Sequence, residues 1–430
     1  MHWKKGLRST GLTNYNRHLF SVLKIVTFLT VFFNFSGIRT GDANDVAAAV
    51  TLITALTYLF TTQQLSRLKN PVFYGMAIYL LVSYLLLPFS VVPELSFKDL
   101  SKDVLGGFSL FLGIYLIVSQ TKNNHPPDFI PGLNNLAIIL LVLTGLGFLA
   151  ILTTVGSLVS VDELKVLQFD GKLFHFTAHH NIFARKVELI FPFMVTGVLV
   201  ASGIKQKIVF FFLSFFSAGV MFLNISRGGW ACISVILILW GLLYLVKYRK
   251  YISSVGITLI FGLIIIVVWI FYPPFKVRTL STQEEASTLT NRTKIWSEYI
   301  TAIKKSPLVG WGYGSKITPA RVKGESTAKK CFANFGPHNL GLGILFYQGI
   351  IGLIFFSLLV GITFVYILKG FFHSPTEELK LLYYACFCSF TAVILLHGLI
   401  EFISFKYLSF LSGLAGGLKV FLRNNSNWRN

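Results

Sequence analysis

Acidic side chains are scarce. The chain holds 17 Asp and Glu among 430 residues, against 38 Lys and Arg, and charged residues of both signs make up only 13% of it. Soluble domains carry about twice that charged fraction. With 54% hydrophobic residues and a mean hydropathy of +0.68, the composition excludes a soluble globular domain and indicates an all-α polytopic membrane protein. Cysteine is scarce too. Cys232, Cys386 and Cys388 lie in apolar runs and Cys331 stands alone in a polar stretch, which gives neither a disulfide framework nor a zinc-ligand spacing. A nucleotide loop is also missing: Gly310-Trp311-Gly312-Tyr313-Gly314-Ser315-Lys316 is rich in turns but lacks the G-x-x-x-x-G-K-[ST] spacing. The net charge of +21 raises nucleic acid as a partner, but apolar spans separate the basic residues and no binding module is visible. No nucleic acid is expected.

What the chain has is long apolar runs. About 20 residues are needed to cross about 30 Å of hydrocarbon, and twelve runs qualify: 19–37, 45–61, 71–92, 103–119, 134–154, 182–203, 207–224, 228–246, 254–273, 337–368, 379–400 and 405–421. The first follows Lys4, Lys5, Arg8 and Arg17 without a small-residue cleavage site, so it reads as a retained helix. With the N-terminus inside, seventeen basic residues fall in the inner segments and five in the short outer loops (Arg39, Lys98, Lys102, Arg227 and Lys406). This asymmetry puts both termini in the cytoplasm and leaves two long segments, 155–181 and 274–336, outside. The expected organisation is nine helices in 1–273, an outer loop over 274–336, and helices ten to twelve with a cytoplasmic tail in 337–430.

A connection of about sixty residues is far longer than most and is usually functional. Within it Ile295, Trp296, Tyr299, Ile300 and Ile303 recur at helical spacing, so an amphipathic helix on the membrane or on the bundle is expected, carrying Arg292 in its first turn. The tenth run, 337–368, would be about 48 Å long as one helix, so its start projects beyond the bilayer or it breaks near Gly349 and Gly352. Proline suits a first helical position, so Pro337 is expected there with His338 in the first turn. The helix dipole would keep that imidazole neutral and able to accept a proton.

Several other residues carry chemistry, each with a plainer alternative. Arg227, in Asn224-Ile225-Ser226-Arg227-Gly228-Gly229-Trp230, pairs a guanidinium with a helix N-terminus, a good phosphate site, though an arginine there also suits simple snorkelling. Arg292 is equally compatible with a solvated helix face. Arg185 and Lys186 open the sixth span from the outer side, where they either face a cavity or anchor the interface. His175, His179 and His180 suggest a metal, but Phe176 stands where the zinc-protease pattern needs Glu and nothing completes a ligand set. No metal is expected. Glu401 either positions a hydroxyl or pairs with a cation such as Lys406.

Taken together, Ser226-Arg227-Gly228-Gly229, Arg292 with Trp296 through Ser306-Pro307-Leu308-Val309-Gly310-Trp311-Gly312-Tyr313-Gly314, and Pro337-His338-Asn339 followed by Gln348-Gly349-Ile350-Ile351-Gly352-Leu353 resemble the O-antigen ligase and polymerase superfamily of bacterial membrane glycosyltransferases. The resemblance covers most of the C-terminal half, and the His180-Asn181 to Arg185 segment adds to it. It implies a GT-C-like fold in the inner membrane with the 274–336 loop periplasmic. It also implies an inverting, metal-independent transferase without cofactor. The donor would be a glycan on undecaprenyl pyrophosphate, and the acceptor a sugar hydroxyl of lipid A-core. On that basis His338 is the base, Arg227, Arg292 and Arg185 hold the pyrophosphate, and His180, Asn181, Asn339 and Glu401 are supporting residues. One departure is Gly336, where ligases of the family often carry a second histidine. The polymerase, which shares the donor, is therefore the nearest rival. A protein O-glycosyltransferase and a lipid or sugar transporter are further alternatives. Transport predicts polar groups near mid-membrane, whereas the span centres are apolar apart from Lys24.

Overall fold

The computed structural model describes residues 3–36, 42–120, 130–155, 180–224, 226–248, 270, 286–324, 333 and 335–424. The elements are α1 (Trp3–Phe35), α2 (Ala43–Thr62), α3 (Pro71–Leu85), α4 (Pro93–Leu100), α5 (Gly106–Ser119), α6 (Ile130–Val155), α7 (His180–Val200), α8 (Ile204–Leu223), α9 (Arg227–Tyr248), α10 (Ala286–Ile303), α11 (Pro319–Val322), α12 (Leu340–His373), α13 (Glu377–Ser389), α14 (Gly398–Ile400) and α15 (Phe405–Asn424). Wide turns of π-helix over Ser101–Leu105 and Phe390–His397 join α4 to α5 and α13 to α14. No strand occurs among the described residues, and the protein is an all-α polytopic membrane protein.

Among the described residues, nine helices are long and apolar enough to cross a membrane. They match nine of the twelve expected runs. The sixth and twelfth runs are helices, α7 and α15, but Arg185, Lys186 and Glu188 in one and Lys406, Lys419 and Arg423 in the other dilute their apolar character. The ninth run lies outside the described residues apart from Ile270. Small residues let backbones approach closely in lipid: a Cβ on Gly417 of α15 would stand 3.0 Å from the Tyr115 carbonyl oxygen of α5. Phe111 and Tyr115 of α5 and Leu408 and Leu411 of α15 are buried.

Contacts between connections sort into two ends. At one, Arg67 donates to the Ser119 carbonyl (3.2 Å), Gln120 to Gln64 (2.9 Å) and Arg423 to the Lys69 carbonyl (3.3 Å). At the other, the Val91 N–H meets the Trp311 carbonyl (3.1 Å) and Asn181 meets Glu401 (2.9 Å). This is the pairing that alternating spans require.

The amphipathic helix forms as α10 and docks on the bundle. Its buried Tyr299 ring lies 4.6 Å from that of Phe346 in α12. The break in the tenth run falls at Gly349, whose φ of 64° and ψ of −167° suit glycine alone. A break orphans backbone groups, which are costly if buried unpaired, and the 307–312 loop satisfies them. Trp311 and Gly312 N–H groups donate to the Phe346 and Tyr347 carbonyls (both 2.9 Å), while the Ile350 and Ile351 N–H groups donate to the Pro307 and Leu308 carbonyls (2.8 and 3.2 Å). The glycine-rich segment is thus a strap across a broken helix.

Candidate active site

The position of His338 differs from the expected one. α12 begins at Leu340, and its N-cap is Asn339, whose side-chain oxygen accepts from the Leu342 N–H at 2.8 Å. Asn caps better than the Pro-His pair before it, so Pro337 and His338 stay outside the helix. His338 takes a left-handed φ of 45°, a strained conformation for a non-glycine residue. Its neighbours hold it there: Trp296 Nε1 donates to the Pro337 carbonyl (3.0 Å), Tyr299 Oη to the Phe335 carbonyl (3.0 Å) and Asn339 Nδ2 to the Leu399 carbonyl (3.2 Å).

The imidazole meets Glu401, with Nδ1 3.1 Å from Oε2. Glu401 is extended, just past α14, and its other oxygen accepts from Asn181 Nδ2 at 2.9 Å. Burial pushes this carboxyl up. The His338 hydrogen bond and the charges of His338, Arg185 and Arg292 outweigh burial and hold it at about 2. An ionised carboxylate only accepts, so the proton shared with His338 is assigned to Nδ1. That leaves Nε2 as the basic atom of a ring whose side chain is 33% exposed.

Asn181 connects this pair to α9. Its Oδ1 accepts from Ser226 Oγ (2.7 Å), and Ser226 in turn caps α9 by accepting from the Gly229 N–H (3.2 Å). A chain Ser226, Asn181, Glu401, His338 therefore links the start of α9, where the half-buried Arg227 begins the helix, to the imidazole. Gly228 permits this junction, since a Cβ there would fall 2.4 Å from Ile400. Arg292 reaches from α10 with Nη2 4.0 Å from Glu401, too long for a hydrogen bond. Arg185 is buried and spends two donors on the Asn181 carbonyl (3.2 Å) and the Phe402 carbonyl (2.7 Å). His180 is the first residue of α7. His175 and His179, the other members of the histidine cluster, lie outside the described residues.

Sequence reasoning missed two sets of residues. Asp103 accepts from Tyr313, Ser404 and the Phe405 N–H, tying the strap and α15 to the α4–α5 hinge. Below Glu401 lies a fully buried pair, in which His397 Nδ1 stands 3.0 and 3.2 Å from the two oxygens of Glu188. With Cys232 they form the group among the described residues whose donor atoms could hold a metal, all within 4.8 Å of one another. The available signal was their type: ionisable residues inside apolar runs are costly and rarely idle. The Glu401 N–H donates to the His397 carbonyl at 2.9 Å, so the pair underpins the site.

Residues 212–357 match the family model described as O-Antigen ligase. Over that stretch, about a third of its length, the chain is similar to the O-antigen ligase family. Arg227, Arg292, His338, Asn339 and the Gly349 break stand inside the matched residues, whereas His180, Asn181, Arg185 and Glu401 stand outside them. The fold brings Asn181 and Arg185 of α7 and Glu401 from the turn before α15 together with His338 and Arg292. A comparison with curated proteins finds no match.

Proposed function

We propose that the protein transfers a glycan from undecaprenyl pyrophosphate to a sugar hydroxyl of lipid A-core on the periplasmic face of the inner membrane, as a lipopolysaccharide O-antigen ligase. The observation that carries this reading is the His338–Glu401 contact at 3.1 Å beside Asn181, with Arg292 and Arg185 close by. His338 Nε2 takes the proton of the acceptor hydroxyl as that oxygen attacks the anomeric carbon. Glu401 orients the ring through Nδ1 and stabilises the imidazolium that forms. The bond from the anomeric carbon to the pyrophosphate oxygen breaks, the configuration inverts, and undecaprenyl pyrophosphate leaves. Arg227 and Arg292 hold the departing charge in fork-shaped hydrogen bonds, and Arg185 adds its charge from behind. Guanidinium groups thereby serve where other transferases use a divalent cation, so EDTA should leave the rate unchanged. Asn339, as N-cap, and Asn181, as a bridge, hold the pieces in register, with His180 opening the helix that carries Asn181.

A second lipid-linked glycan as acceptor would make the same chemistry that of a polymerase, and the lipopolysaccharide of a deletion strain separates the two. Loss of all attached O-chains with accumulated lipid-linked polymer supports ligation. Lipopolysaccharide carrying single repeats contradicts it.

A further inference from the structure

Lys24 has no part in that site. It lies in the first span, Tyr15–Phe35, about 14 Å along the helix from Tyr15, at a depth where an unpaired ammonium is expensive. Its Nζ sits 4.7 Å from the ring centroid of Phe20. No ion pair of Lys24 or of Arg17 occurs among the described residues. Both point, with Phe20, Thr27 and Val31 on one helical face, into a cavity of about 1050 Å³. The cavity runs between α1, α5, α6 and α15 at the bundle end marked by Gln64, Arg67 and Gln120, opposite His338. Arg67 lines it as a third cation, and among the described lining residues there is no Asp or Glu. The remaining wall is chiefly apolar, with Ile117, Leu136, Phe193 and Leu414. Thr27, 2% exposed, and Asn16 line the same space and keep side-chain oxygens without a hydrogen-bond partner.

Three cations with no counter-charge among the described residues, set in a mostly apolar chamber, suit an anion that brings its own hydrocarbon. Basic pockets between membrane helices on the cytoplasmic side take up the phosphate of anionic lipids. We infer that this cavity is a binding site for an anionic glycerophospholipid, its phosphate on Lys24, Arg17 and Arg67 and its acyl chains along α5, α6 and α15. The site is separate from the transferase reading and stands or falls without it.

Native mass spectrometry of the purified full chain in mild detergent, titrated with phosphatidylglycerol or phosphatidylethanolamine of the same acyl chains, tests this. The wild type should retain one phosphatidylglycerol about tenfold more tightly than phosphatidylethanolamine. Lys24→Gln should erase that preference and Lys24→Arg should keep it. Gly132→Trp leaves the cations in place but fills the chamber, because a Cβ at Gly132 meets nothing within 4 Å. It should lower retention of both lipids, and it decides the matter if Lys24→Gln does not fold. Equal retention of the two lipids, an undiminished preference in Lys24→Gln, undiminished retention in Gly132→Trp, or a polyprenyl phosphate extracted from the cavity in place of phospholipid would overturn the inference.

Discussion

Glu401 receives His338, Asn181 and the field of two arginines, so its charge governs the site's electrostatics. Glu401→Gln keeps the shape and removes the charge. If the carboxylate stabilises a developing imidazolium, turnover falls by about 10²-fold or more while donor affinity changes little; steady-state kinetics with varied donor read both, and an unchanged kcat contradicts that role. Because the folded carboxyl is held at about 2 against an ordinary 4.5, its contribution to stability is fully present above 4.5. It is lost as pH falls from 4.5 through 2, by about 3 kcal/mol in all. Acid unfolding of Glu401→Gln should lack that component. Arg292→Ala should instead raise the donor KM, since the guanidinium lies too far from Glu401 to be spent on it. His338, Arg227 and Arg292 stand out in the sequence because each sits in a short local motif. The Glu188–His397 pair was not, because its members lie 209 positions apart and meet only when α7 packs on the π-helical turn.

The strap and the broken helix make a single unit. The sequence pointed to a break near Gly349 through length and glycine content, but not to where the orphaned backbone groups would go, since hydrogen bonding across forty residues has no local signature. A Cβ at Gly349 would stand 2.2 Å from the Leu308 carbonyl oxygen in a conformation only glycine tolerates. Gly349→Ala should therefore cost several kcal/mol, comparable with severe backbone strain plus overpacking, seen as a large drop in thermal midpoint or a failure to fold. An unshifted midpoint would show that the break is not needed. Trp296→Phe is milder. It removes the donor to the Pro337 carbonyl, worth about 1 kcal/mol in stability, and it should lower turnover more than stability because His338 then loses part of its hold. The first-turn position expected for His338 failed for a local reason: Asn339 is the better cap.

Across the bundle, apolar run length made the spans legible, because a membrane imposes a length that few other environments do. Among the described helices that fall on expected spans, α7 and α15 escape the apolar criterion, and α7 carries Asn181, which the fold brings to Glu401. Assembly of the site from α7, α9, α10, the turn before α12 and the turn before α15 depends on tertiary packing and could not be read from any one segment. If these parts act together as a transferase centred on His338, purified protein reconstituted with undecaprenyl-pyrophosphate-linked glycan and lipid A-core should produce glycosylated lipid A-core. His338→Ala should bind the donor as the wild type does and form no product. Product formed by His338→Ala at the wild-type rate would contradict the assignment.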